Sequence, residues 1–130
     1  MSALSDYSEK LLLDWMMTTG AATRPTAWYV ALYTSATNDA SGGTEVSGNG
    51  YARQSVTFDA GTSGTGTTSN SNAPLFTAAG GNWGTVTHMA IYDAATGGNR
   101  LWHGAMTASK TIDDGDSLQF AIGNIDLTLA

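Results

Sequence analysis

The chain has 130 residues, no cysteine, and five Lys/Arg against eleven Asp/Glu, for a formal charge of −6. That length suits one domain with a core of its own, and the missing thiols exclude both a disulfide framework and thiolate metal sites. Nucleic-acid binding needs clustered cations. Lys10, Arg24, Arg53, Arg100 and Lys110 are instead scattered along the chain, so direct nucleic-acid contact is not expected.

No run of about 18 apolar residues is present, so no membrane span is expected. Residues 1–20 lack the basic start and apolar stretch of a signal peptide, and Asp6, Glu9 and Asp14 interrupt them. Only 12% of residues are charged, against about 25% in an average protein. An ordinary soluble monomer keeps clear of its neighbours by surface charge. A body this poor in charge and rich in Thr, Gly, Ser and Ala reads as one made for contact with other protein surfaces.

Residues 3–18 read as a helix, with Leu4, Tyr7, Leu11 and Trp15 on one face. Ser2 or Ser5 can cap it, Asp6 and Glu9 suit the dipole of its first turn, and Gly20 can supply a left-handed residue to end it. Its second half is apolar nearly all round: Leu11, Leu12, Leu13, Trp15, Met16 and Met17 leave only Asp14 to meet water. Such a segment either packs into its own domain or docks on a neighbouring subunit.

From Arg24-Pro25 onward the period changes to two. Residues 28–34 (WYVALYT) are apolar on both faces and read as a central strand. Residues 35–50 form a polar loop with an Asn49-Gly50 turn signal, and Tyr51 to Phe58 alternate as a strand. Residues 59–72 contain a low-complexity run without large apolar side chains, and read as an exposed, mobile loop. Ala73 to Thr77 read as an edge strand, because Pro74 cannot donate to a ladder.

Thr85 to Asp93 and Leu101 to Met106 form a hairpin about Gly97-Gly98-Asn99. Lys110 to Ile112 lead into an Asp113-Asp114-Gly115-Asp116 turn, and two further alternating runs follow: Leu118, Phe120, Ile122 and then Ile125, Leu127, Leu129. The sum is a mainly β chain, an antiparallel β-sandwich or jelly-roll-like domain over residues 21–130. One N-terminal α-helix, within residues 1–20, lies on or beside it.

Candidate chemistry is sparse. There is neither a cysteine nor a G-x-S-x-G elbow for acyl transfer. His88 and His103 sit in the two arms of the hairpin; each reads as a half-buried strand residue, with a two-histidine metal or acid–base site as the alternative. Asp113, Asp114 and Asp116 put three carboxylates in one turn, but without the spacing and closing glutamate of a calcium loop they read as a solvated turn. The glycines of residues 61–66 lack the lysine and helix of a phosphate cradle. No cofactor or metal is expected. Trp15, Trp28, Trp83 and Trp102 read mainly as core or subunit packing. Trp83, flanked by glycines, is the one expected at a surface. The expected interaction surface is therefore Leu11, Leu12, Trp15, Met16 and Trp83.

Several segments carry a resemblance: Ser5-Asp6-Tyr7-x-Glu9-Lys10-Leu11-Leu12-Leu13-Asp14-Trp15, residues 24–34 (RPTAWYVALYT), residues 44–54 (TEVSGNGYARQ), residues 83–88 (WGTVTH), Ile91-Tyr92-Asp93 and residues 97–104 (GGNRLWHG). Together they resemble a family of small proteins encoded in the structural-gene regions of tailed phages and prophages, commonly labelled tail-fibre-like. The resemblance implies a virion component made in the host cytoplasm, and it brings no catalytic residues. With the charge-poor body and apolar helix, the first expectation is a non-enzymatic capsid decoration (cement) protein. It would cover seams between major capsid proteins as a homo-oligomer, with a trimer as the guess. The second is a tail-fibre or baseplate domain that touches a host receptor through its loops and exposed aromatics, not the helix. The expected partners are the major capsid protein or other virion subunits. The third, a metal-dependent or carbohydrate-active enzyme, has no residue pattern of its own behind it.

Overall fold

A computed structural model describes residues 2–129. Among these the order is β1 (Ser2–Leu4), α1 (Asp6–Met17), β2 (Tyr29–Tyr33), β3 (Gln54–Ser55), β4 (Thr67–Ser69), β5 (Leu75–Thr77), β6 (Gly84–Tyr92), β7 (Arg100–Ile112), β8 (Ser117–Gln119) and β9 (Asp126–Thr128). All pairings are antiparallel. One sheet runs β1-β7-β6-β2-β3, and two ribbons, β4-β9 and β5-β8, complete the fold. The expected mainly β, antiparallel architecture with one N-terminal helix is what the chain adopts.

The main core lies on one face of the large sheet. Val30, Leu32, Val86, Ile91 and Ile112 from the sheet meet Phe76, Leu118, Phe120, Ile125 and Leu127 from the ribbon side. Strand β2 is buried on both faces, as its unbroken apolar run requires: Ala31 and Tyr33 join Ala90 and Tyr92 on the opposite side. Strand β7 carries a large bulge. His88 faces Ala105 but Val86 faces Lys110, so residues 106–109 oppose Thr87 alone. Val86 and Ile91 share the core although strict alternation would part them, and the bulge lies opposite the stretch between them.

Several sequence expectations change at their edges. The helix starts at Asp6, because Ser2–Leu4 pair with Trp102–Gly104 as an edge strand. Ser5 is its N-cap, accepting from the Ser8 amide at 3.2 Å. Gly20 does not end the helix. Thr18 ends it in an extended conformation (φ −130°), with its hydroxyl on the Asp14 carbonyl at 2.8 Å. The strand expected over 51–58 shortens to Gln54–Ser55, whereas the pieces at 101–106 and 110–112 are one strand. The alternation after Leu118 stops at Phe120, and Ile122 faces solvent.

Residues 59–66 are exposed, as expected, and residues 59–72 also make backbone bonds of their own. The segment folds back on itself, with Asp59 donating to Ser69 O at 3.0 Å and Ser71 to Thr57 O at 2.8 Å, and its β4 strand pairs with β9. What holds it is a side chain, not apolar bulk. Asn70 is 0% exposed. Its Nδ2 donates to Asn72 O (2.7 Å) and Ala121 O (2.9 Å), and its Oδ1 accepts from the Ile125 amide (2.8 Å). A buried amide with this many partners fixes backbone that composition alone would leave free. Asn70→Ala leaves those groups unpaired and should cost about 2–4 kcal/mol, read as a lowered urea midpoint at unchanged slope.

Candidate functional site

The helix is rooted at one end and bare at the other. Its root is a polar cluster on the second face of the sheet, built around Arg100 at the start of β7. Arg100 is 5% exposed. Nη1 donates to Asn38 O (2.8 Å), Nη2 to Gly42 O (2.9 Å) and to the Tyr33 hydroxyl (2.9 Å), and Nε to the Tyr92 hydroxyl (3.3 Å). The two phenols also bond each other at 2.6 Å. Its acceptors are thus carbonyls and hydroxyls of the loop and sheet. They draw the polar segment 35–50 onto the strands.

The helix start hangs on the same cluster. Ser5 donates its hydroxyl to Arg100 O and its amide to Leu101 O (3.0 Å), while the Asp6 amide donates to Asp39 O (3.0 Å). His103 bridges Thr37 Oγ1 (3.0 Å) and Asp39 Oδ1 (2.7 Å). Arg53 closes the other flank. It forks onto Glu45 through two bonds of 2.9 Å, lies 3.7 Å above the Tyr92 ring centroid, and donates to Ala94 O and Gly97 O at the hairpin turn.

Beyond Ser8 no residue of α1 is buried. Leu13 is 62% exposed, Trp15 69%, Met16 66% and Met17 73%. Leu11 and Leu12 are half-buried and, with Trp15, Ala22, Arg24 and Pro25, line a hollow of about 240 Å³. From Leu13 on, the apolar side chains of the helix therefore stay out of its own domain. Covering these side chains is worth about 1.5–3 kcal/mol each when complete, and within the described residues nothing does so.

Trp83 is a correction: it lies in the core, 7% exposed. Its indole N–H donates to Asn49 O (2.9 Å), its amide to Ile112 O (2.8 Å), and its ring meets Tyr51 edge-on at 5.4 Å. The flanking glycines serve the turns around it rather than its presentation to solvent.

The remaining candidates are each engaged locally. His88 and His103 lie on the same face of the β6–β7 pair, offset in register, but His88 bonds Thr87 (2.8 Å) and His103 bonds Thr37 and Asp39. Asp116 Oδ2 accepts from the Asp113 amide (3.0 Å) and Asp114 Oδ1 from the Gly80 amide (2.9 Å), which makes the acidic segment a capped turn. Among the described residues no three His, Asp or Glu side chains come together as a metal ion needs.

The described residues form a small antiparallel β-domain whose polar groups brace its own loops and whose one helix ends in an apolar tip that they leave uncovered. Residues 3–128 match the family model described as podophage GP4 fiber I protein gp80, and the chain belongs to that family. It is thus a structural protein of a phage particle. No curated protein matches the chain.

The cluster has a pH signature. Burial disfavours the charged Glu45 carboxylate, but hydrogen bonds from Arg53 and Tyr51 outweigh it and hold its pKa below the ordinary value. The stability this contributes is present above the usual carboxylate range and is lost as pH falls through the lowered value. Acid unfolding should therefore be shallower in Glu45→Gln than in the wild type, measured by circular dichroism below pH 5. Burial, then the bond that the Tyr33 hydroxyl makes with Tyr92, pushes the Tyr33 phenol up to about 12 from 10.0, with Arg100 opposing. Tyr51 is raised as well, by burial and then by Glu45. Their contribution is full below the ordinary phenol value and is lost as pH rises through the raised ones. Of the five tyrosines, Tyr33 and Tyr51 should ionise late in an absorbance titration at alkaline pH, and Tyr33→Phe should remove one late step.

Proposed function

We propose that this protein is a subunit of the phage's fibre and that the C-terminal half of α1 docks on an adjoining virion subunit. The observation that carries the docking is the exposed run Leu13, Trp15, Met16 and Met17 on a helix whose root is fixed. Large apolar side chains left uncovered on a charge-poor domain mark a protein contact. The family's description as a fibre protein supports the tail location. Head decoration, the first expectation from the sequence, draws nothing from that description. A homo-oligomer suits either place, since a fibre repeats its contacts by symmetry.

Two experiments test this reading. Immunogold labelling and cryo-electron microscopy of purified virions should find the protein at the tail, in a small multiple of the tail symmetry. Label spread over the head in numbers like those of the capsid subunits would overturn it. Trp15→Ala should leave the free protein within about 0.5 kcal/mol of the wild type while its incorporation into particles falls. Loss of several kcal/mol in the free mutant would show that Trp15 belongs to the domain's own core.

A further inference from the structure

The chain has five methionines and no cysteine, so thioethers are its only sulfur. Four of the five lie in the described residues, and they form two contrasting pairs. Met89 and Met106 are half-buried and pack against the main core. Met16 and Met17 close the helix and stand 66% and 73% exposed. Met17 is the most exposed large apolar side chain among the described residues.

Exposure decides which thioether an oxidant in solution reaches first. Peroxides oxidise a methionine Sδ in one step. The sulfur lone pair attacks one peroxide oxygen, the S–O bond forms as the O–O bond breaks, and the sulfur gives up two electrons. The departing hydroxide takes the proton of the transferred oxygen and leaves as water. One thioether and one hydrogen peroxide thus give one sulfoxide and one water. The product carries a strong acceptor oxygen where an apolar, flexible side chain stood. On an exposed helix tip water solvates that oxygen, and the free domain keeps its fold. In a docked tip the oxygen loses its water and needs a donor in an apolar contact.

We propose that Met16 and Met17 are a paired oxidation site for hydrogen peroxide and small hydroperoxides, and that their sulfoxides stop the free subunit from docking. The site itself stands on exposure; its effect on docking rests on the proposed role of α1. The anchors of the helix, at Ser5 and Asp6, lie at its other end, so oxidation of the tip leaves them untouched. A subunit oxidised before assembly is excluded, and one already docked is shielded.

The test treats the full chain with dilute hydrogen peroxide at neutral pH and follows each methionine by peptide mass spectrometry. Met16 and Met17 should gain oxygen several-fold faster than Met89 and Met106, with Tm unchanged. Equal rates, earlier oxidation of Met89 and Met106, or a fall in Tm when only the tip is oxidised would overturn the proposal. Incorporation of the oxidised chain into particles assembled without it should fall about tenfold and return after treatment with methionine sulfoxide reductases. A double variant, Met16→Leu with Met17→Leu, should incorporate equally with and without peroxide. Normal incorporation of the oxidised wild type, or a double variant that peroxide still blocks, would also overturn it. Trp15→Ala in the same assay separates this inference from the docking reading. If that variant fails to incorporate while the oxidised chain succeeds, the oxidation inference alone falls. Tip oxidation as fast in finished particles as in the free chain would instead sink the docking reading and leave the oxidation site standing.

Discussion

Arg100 is the constraint around which the second face of the sheet is organised. A guanidinium that is 5% exposed must have its donors met, or the cost of burying it is several kcal/mol. Its partners are the carbonyls of Asn38 and Gly42 and the hydroxyls of Tyr33 and Tyr92. Those carbonyls belong to a glycine-rich polar loop with little apolar surface to hold it down. The arginine therefore gives the loop its place, and the loop returns acceptors in a fixed fork geometry that a lysine cannot use. The helix inherits this order, because Ser5 donates to the Arg100 carbonyl and Asp6 to that of Asp39.

The two faces of the sheet thus do different work. The ribbon side is an ordinary apolar core, closed by aromatic contacts such as Phe76 with Phe120 at 6.3 Å and Tyr51 with Trp83 at 5.4 Å. The loop side is held by ion pairs, phenols and cation–π contacts. A helix rooted firmly in that second layer can carry an uncovered apolar tip without the domain losing its fold.

Much of the scaffold was legible from local pattern. The unbroken apolar run at 28–34 announced a central strand, and β2 lies between β6 and β3. The turn glycines at 97 and 98 announced the β6–β7 hairpin, and both take positive φ (60° and 73°). The apolar half of the helix stood out from its composition, and four of its side chains are the most exposed large apolar groups of α1. Trp83 misled because flanking glycines signal a turn but say nothing about which way a tryptophan between them faces. The pairing of residues 67–69 had no apolar signal, because a buried amide is another way to order a backbone, and Asn70 supplies it. A cleft between β7 and the segment from β8 into β9 had no local signal. It lies beside a bulge that becomes visible only when β6 and β7 are paired.

The sequence alone determined the strand and helix periods, the absence of thiol chemistry and the apolar excess between Leu11 and Met17. Each is a property of neighbours along the chain. The tertiary structure decided what those neighbours face: that Trp83 is inside, that the helix tip is bare among the described residues, and that Arg100 gathers a distant loop. These follow from contacts between residues tens of positions apart, such as Asn70 with Ala121 and Arg100 with Asn38. A side chain's burial is set by the whole chain's packing, and no short window of residues contains it.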